Sequence, residues 1–351
     1  MRQLDGLRAL SVAAVAWSHW RPDLYSSPWL SWGELGVETF FVISGFLITG
    51  ILLDNRSETE RPFILRQFYI RRALRIFPLF YLTLLVACLF QAHDTQAWPW
   101  HAGYLSNVYI YLHGWGGRLG HFWSLAVEEQ FYLCWPFLMI FLPRRFLLPA
   151  VVAAIGIAPI FELAMARVSH SSDAAANLLM PSCLDALGMG ALLAVAGRNG
   201  YPVGRIANMI LAAGIVGRLL CHVFHAPDAL GRLADDGILG WLVYRAAEGF
   251  SGMPGRILQC RPLVYLGKIS YGLYIFHNLA GSLWDGILAI TGDPHWLTVF
   301  YQQPACRVVA NAALTIALAS YSWHRFEQPL NALKRKFPYP KEQPPAAAVR
   351  P

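Results

Sequence analysis

Charge is what this sequence has least of. Asp, Glu, Lys and Arg make up 14% of its 351 residues, against about 25% in an ordinary soluble domain, and that shortage excludes a simple soluble globule. The chain lacks a CxxC pair or regular cysteine spacing, so the six cysteines, at 88, 134, 183, 221, 260 and 306, read as small buried hydrophobes. It has no HExxH, so a helix-borne zinc motif is not expected. Apolar residues are abundant instead: 56% of the chain is hydrophobic, mean hydropathy is +0.40, and there are 13 Trp, 15 Tyr and 20 Phe. That composition is far from disordered or nucleic-acid-binding segments, and it makes a lipid bilayer the expected surroundings.

A helix that crosses a bilayer needs about 20 mostly apolar residues. The sequence predicts about ten, over residues 4–21, 36–53, 74–92, 122–142, 146–164, 181–197, 204–222, 236–252, 264–286 and 300–324. Basic residues stay on the cytoplasmic side. With the N-terminus inside, most of the 28 Lys and Arg fall on that side, and the outer loops hold Arg21, Arg118, Arg167 and Arg232. The expectation is an all-α, multi-pass protein of the cell (inner) membrane with both termini cytoplasmic: a membrane domain over residues 1–333 and a disordered cytoplasmic tail over 334–351. The net charge of +7 then reflects topology, and points to anionic lipid or an anionic cofactor rather than nucleic acid. Arg2, a short apolar run and Ala14-Val15-Ala16 loosely resemble a signal peptide, but Asp5 and Arg8 interrupt the run.

Ionisable side chains at membrane depth are costly and mark sites. In RALSVAAVAWSH, His19 lies about 16 Å along the helix from Arg8, so a cation and a deeper imidazole share one helix. In GVETFFVISGFLIT, Gly36 reads as a helix-packing position, while Ser44-Gly45 either admits close approach or kinks the helix. In RPFILRQFYIRRALRIFP, Arg72 and Arg75 are three apart and share a face, with Arg71 beside them. Guanidinium forks suit phosphate groups. In GHFWSLAVEEQFYLCWP, Glu128 and Glu129 lie about 9 to 10 Å into the span. Glu128 shares a face with Ser124 and Tyr132, each four residues away, which favours it as the site residue and leaves Glu129 to brace another helix.

These blocks, followed in order by LGKISYGLYIFH and WHRFEQPL, make the chain resemble the acyltransferase type 3 family of membrane O-acyltransferases from about residue 4 to 333. The resemblance implies a multi-pass enzyme that moves an acyl group, usually acetyl, from cytoplasmic acyl-coenzyme A to a hydroxyl, often on a cell-envelope or exported carbohydrate. Family members acting on peptidoglycan or O-antigen often carry an extra hydrolase-like domain; this chain is expected to act alone or with a separate partner.

A thioester is already activated, so such an enzyme needs a base for the acceptor hydroxyl and a grip on the anionic donor. His19 is the expected base, since neutral imidazole is available near pH 7, and Glu128 is expected to orient it as a triad carboxylate does. Arg8, Ser44, Arg71, Arg72 and Arg75 are assigned to acetyl-CoA or another acyl-CoA, with Ser44 on the thioester's path. Trp123, Tyr132 and His277 are assigned to substrate; His277 either contacts the acceptor or braces the cavity. An acyl-histidine intermediate is the alternative to direct transfer. Asp185, Arg218, Arg245, Glu248 and Arg307 are expected to form buried ion pairs.

The outer segment holds His93, His101, His113 and His121 without an i, i+4 pair, so no metal is assigned. Stacking of a sugar on Trp98, Trp100 or Trp115 is the functional alternative to interfacial anchoring. A secondary transporter is the rival class, but no second copy of FFVISGFL or WSLAVEEQFY supplies the repeat that transporters show. Small-residue faces leave a homodimer open.

Overall fold

The protein is described here from a computed structural model, covering residues 1–22, 31–90, 96–168, 173–292 and 294–340. The described residues contain helices and no strands. In chain order the α-helices are α1 (Arg2–Trp20), α2 (Trp32–Asn55), α3 (Arg61–Phe90), α4 (Trp98–Ala102), α5 (Ser106–His113), α6 (Phe122–Phe141) and α7 (Arg144–Val168). They continue as α8 (Leu184–Arg198), α9 (Val203–Val223), α10 (Asp228–Glu248), α11 (Gly252–Leu258), α12 (Arg261–Lys268) and α13 (Ser270–Phe276). The last are α14 (Ala280–Ile290), α15 (His295–Gln302), α16 (Pro304–Ser322) and α17 (Gln328–Ala332).

Among the described residues six helices are long and apolar enough to cross a membrane: Trp32–Asn55, Arg61–Leu89, Arg144–Arg167, Met180–Arg198, Val203–Val223 and Pro304–Lys336. The helices α1, α6 and α10 fall outside that set, and they are the ones that carry Arg8 and His19, Glu128 and Glu129, and Arg232 and Asp236. Their polar residues lower the hydropathy, and α2 screens them by packing against α1, α6 and α10 as well as α8. The core is continuous around α2, with Phe41, Val42, Ile43, Ile48 and Leu52 buried against residues such as Phe122, Phe131 and Leu187.

Three expectations need correction. The single span at 264–286 is three short helices, α12, α13 and α14, broken at Ile269 and again at 277–279. Most of the six cysteines are not buried: Cys183 is, whereas Cys88 and Cys134 are exposed on α3 and α6. The segment from Lys334 does not begin as a loose tail, because Leu333–Lys336 form a 3₁₀ turn and Tyr339 is buried. Arg71 donates to the Phe337 carbonyl at 3.2 Å and lies 4.6 Å over the Tyr339 ring. Residues 341–351, the rest of the expected tail, lie outside the described residues, as does His93.

Of the residues expected in buried ion pairs, Arg218 meets Asp235 at 3.4 Å, but its side chain is 42% exposed. Asp185 instead sits in the first turn of α8 and accepts from the Ala186 amide at 2.9 Å. Arg232 pairs with Glu162, a partnership that a loop assignment for Arg232 hid.

Candidate active site

Two cavities meet inside the bundle. The first, about 90 Å³, is lined by Arg8 of α1, Ser44 of α2, Arg72 and Arg75 of α3, Ser124, Glu128, Glu129 and Tyr132 of α6, and Tyr271 of α13. The three-residue spacing puts Arg72 and Arg75 on one face, and both reach this cavity. Arg71 points elsewhere, into the contacts with Phe337 and Tyr339, so its donor-binding assignment is corrected to a tie between α3 and the chain's last described residues. Arg8 is braced by Asp5 one turn away, at 3.3 Å.

The four-residue spacings on α6 also place their residues together. Tyr132 donates to Ser44 Oγ at 3.0 Å, and Ser44 donates to Glu128 Oε1 at 2.5 Å. The Arg72 guanidinium lies 5.5 Å from the Tyr132 ring centroid, so a cation sits beside the end of this hydrogen-bond chain. Helix α2 runs unbroken through Ser44-Gly45, and Gly45 serves close approach, since it faces the Leu187 backbone of α8. Glu129 does not brace a helix through its Oε1, which is buried in this cavity wall without a hydrogen-bond partner among the described residues. Removing the Ser44 hydroxyl leaves Glu128 Oε1 short of a donor. Ser44→Ala is therefore expected to lower stability by about 1–3 kcal/mol, checked by the thermal midpoint in detergent.

The second cavity, about 500 Å³, lies across a shared wall of Val37, Phe41 and Tyr274, which line both spaces. His19, Trp115, His121, Trp123, Glu34, Glu38, Asp185 and Arg232 line it. The wall is held by Tyr274, whose hydroxyl meets Ser124 Oγ at 2.5 Å and donates to the His121 carbonyl at 3.1 Å. The two tryptophans stand apart from Trp98 and Trp100, which pack on His101 at 6.3 Å and on Tyr109 at 6.1 Å. Of the three Trp weighed for sugar stacking, Trp115 is the one at the cavity.

The expected pairing of Glu128 with His19 is not present, because the two face different cavities. His19 Nδ1 instead donates to the Val15 carbonyl at 2.9 Å and lies 3.3 Å from His277 Nε2. His277 is fully buried behind it, at 0% exposure, so its assignment to substrate is corrected: it supports rather than lines. Trp123 and Tyr132, grouped as one substrate set, line opposite cavities. Sequence reasoning missed His121 as a site residue, because it stands at the N-cap of α6 and counted as one of four loop histidines. It also missed Glu38, which lies within α2 between the buried Val37 and Thr39. No group of three or more His, Cys, Asp or Glu among the described residues is placed to hold a metal ion.

The profile of the family described as an acyltransferase domain matches residues 1–324. The chain belongs to the acyltransferase type 3 family. It is 29% identical to the peptidoglycan O-acetyltransferase OatA of Listeria monocytogenes over 370 residues, covering 93% of this chain and 55% of that protein. It is 26% identical to the putative peptidoglycan O-acetyltransferase YrhL of Bacillus subtilis, with 93% and 54% covered. It is 29% identical to the O-acetyltransferase OatA of Staphylococcus aureus, with 78% and 49% covered. The chain thus spans about half the length of these curated relatives. No solved structure matches it. Membership in an acyltransferase family sets aside the transporter alternative.

Proposed function

We propose that this acyltransferase moves an acyl group, most simply acetyl, from cytoplasmic acyl-coenzyme A to a hydroxyl of a cell-envelope carbohydrate such as peptidoglycan. The observation that carries this reading is the pair of cavities: three arginines on one side of the Val37, Phe41 and Tyr274 wall, two histidines and two tryptophans on the other. In this reading all ten sequence spans, with α12 to α14 acting as one, cross the cell membrane, and both termini are cytoplasmic. That orientation puts the arginine cavity toward the cytoplasm and the His19 cavity toward the envelope. The transfer domain comprises residues 1–333.

The chemistry follows from the lining. Arg72 and Arg75, with Arg8, hold the donor's anionic groups through charge-assisted, forked hydrogen bonds. Ser44 lies on the thioester's path, and Glu128 and Tyr132 fix its hydroxyl. In the second cavity the Nε2 lone pair of His19 takes the acceptor's hydroxyl proton as the new C–O bond forms and the C–S bond breaks. The thiolate leaves and is protonated. Trp115 and Trp123 offer apolar faces to a sugar ring, and the carboxylates around them accept from its hydroxyls.

Purified protein is expected to move labelled acetyl from acetyl-coenzyme A to peptidoglycan glycan strands. Absence of any coenzyme A binding by folded protein would refute the donor assignment. Each lost guanidinium contact to an anion is worth about 1.5–3 kcal/mol, so Arg72→Ala combined with Arg75→Ala is expected to weaken coenzyme A binding by roughly 100-fold or more. Isothermal titration on the wild type and the double variant measures this directly. Arg72→Lys does not restore it, because an ammonium lacks the planar fork.

A further inference from the structure

Helix α13 stops at Phe276; the Leu273 and Phe276 carbonyls accept from the His277 and Leu279 amides, and those of Tyr274 and Ile275 between them lie past the reach of the helix's own amides. Side chains take that place. His277 Nδ1 donates to the Tyr274 carbonyl at 2.6 Å, His121 Nε2 donates to the Ile275 carbonyl at 3.2 Å, and Trp20 Nε1 donates to the His277 carbonyl at 2.9 Å. A carbonyl oxygen only accepts, so each ring nitrogen facing one carries a hydrogen. The same rule applies to His19, whose Nδ1 faces the Val15 carbonyl. Two imidazole nitrogens 3.3 Å apart need one donor and one acceptor. Since His19 Nδ1 bears the hydrogen, His277 Nε2 is the lone pair that receives it. His19 Nδ1–H is shared between a carbonyl and an imidazole, and its Nε2 is left bare.

The geometry points to His277 as a positioning residue for the base, standing where a triad carboxylate would stand. This inference rests on the reading of His19 as the base. His277 is fully buried while His19 is exposed to its cavity, so the inner ring is fixed and the outer one works against it. The inner ring cannot turn over without breaking its bond to the Tyr274 carbonyl, and the His121 ring packs edge-on with its centroid 4.9 Å away. As His19 Nε2 takes the hydroxyl proton, the oxygen's electron pair closes the C–O bond and the C–S pair leaves on sulfur. The imidazolium's Nδ1–H then bonds more strongly to His277 Nε2. The proton on Nε2 is discharged to the thiolate, and His19 returns to its starting form. The pair holds one positive charge at the peak of the reaction with no carboxylate in it.

Two amide variants separate this role from a structural one. In His277→Gln the amide oxygen reaches the place of Nε2 and still accepts from His19. In His277→Asn the shorter amide keeps only the contact with the Tyr274 carbonyl. With acetyl-coenzyme A as donor and peptidoglycan strands as acceptor, His277→Asn is expected to lose roughly 10- to 100-fold in kcat, with KM for the donor unchanged. His277→Gln is expected to recover most of that loss. An Asn variant as active as the Gln variant overturns the proposal and makes His277 a structural plug. If His19→Ala keeps full activity, the base assignment fails, whatever the His277 variants do. The unmutated protein gives an independent reading that no folding defect can disturb. Its ¹⁵N-histidine spectrum, assigned by the signals lost in His19→Ala, is expected to show His19 protonated on Nδ1 and bare on Nε2. The opposite tautomer overturns the proposal.

Discussion

His19→Ala is expected to lower acetyl transfer by about 10²- to 10⁴-fold, the range that a positioned general base supplies. Coenzyme A binding should stay at the wild-type level, because His19 lines the second cavity and the arginines line the first. Stability should change little as well. The ring is exposed to its cavity and its one bond to protein carbonyl is to Val15, a turn below on the same helix. His19→Asn is the sharper variant, since its amide can still donate to that carbonyl but has no basic nitrogen. It is expected to fall as far as alanine. Steady-state transfer, donor titration and thermal midpoint, measured together, read the three parts of the expectation. Full activity in both variants would move the base to another group in the same cavity, where the carboxylates Glu38 and Asp185 are the candidates.

What the sequence showed of this site was the part governed by a single helix. Spacing of three placed Arg72 with Arg75, and spacing of four placed Glu128 with Ser124 and Tyr132; all five line one cavity. The same arithmetic could not say which helix would stand opposite. Glu128 and His19 were matched by chemistry alone, yet Val37, Phe41 and Tyr274 separate their cavities. The actual partner of His19 lies 258 positions away, at a helix break that an unbroken apolar pattern over 264–286 conceals. Arg71 illustrates the same limit within three residues. It neighbours Arg72 in sequence, but consecutive helical positions diverge by about 100°, and that turn takes it to Tyr339. The six long apolar helices were legible from hydropathy because burial in lipid is a property of composition. The tilt and rotation of one helix on another depend instead on where backbones can approach, which small residues decide pair by pair.

The contact between α2 and α8 is one where backbones approach this closely, and enlarging it is expected to have a large effect on stability. A Cβ added at Gly190 would lie 2.0 Å from the Val42 carbonyl oxygen and 2.6 Å from the Phe46 amide nitrogen. One added at Gly45 would lie 1.8 Å from the Leu187 carbonyl oxygen. These neighbours are backbone atoms, so no side-chain rotation relieves the clash and the helices must separate. Overpacking in a close-packed interior costs about 1–3 kcal/mol where side chains can adjust. Gly190→Val and Gly45→Val should exceed that and lower the thermal midpoint well below wild type. Activity should fall with it for a specific reason. Helix α2 carries Ser44 and two of the three wall residues, Val37 and Phe41, so displacing it stretches the Ser44 to Glu128 bond and opens the partition between the cavities. Gly156→Ala on α7 is the matched control, because nothing lies within 4 Å of its added Cβ. There the change removes only glycine's backbone freedom, and stability is expected to hold or to rise by about 0.4–1 kcal/mol. A Gly190→Val protein that melts with the wild type would show that α2 and α8 do not meet at backbone contact, and the two-cavity geometry built on α2 would fall with that contact.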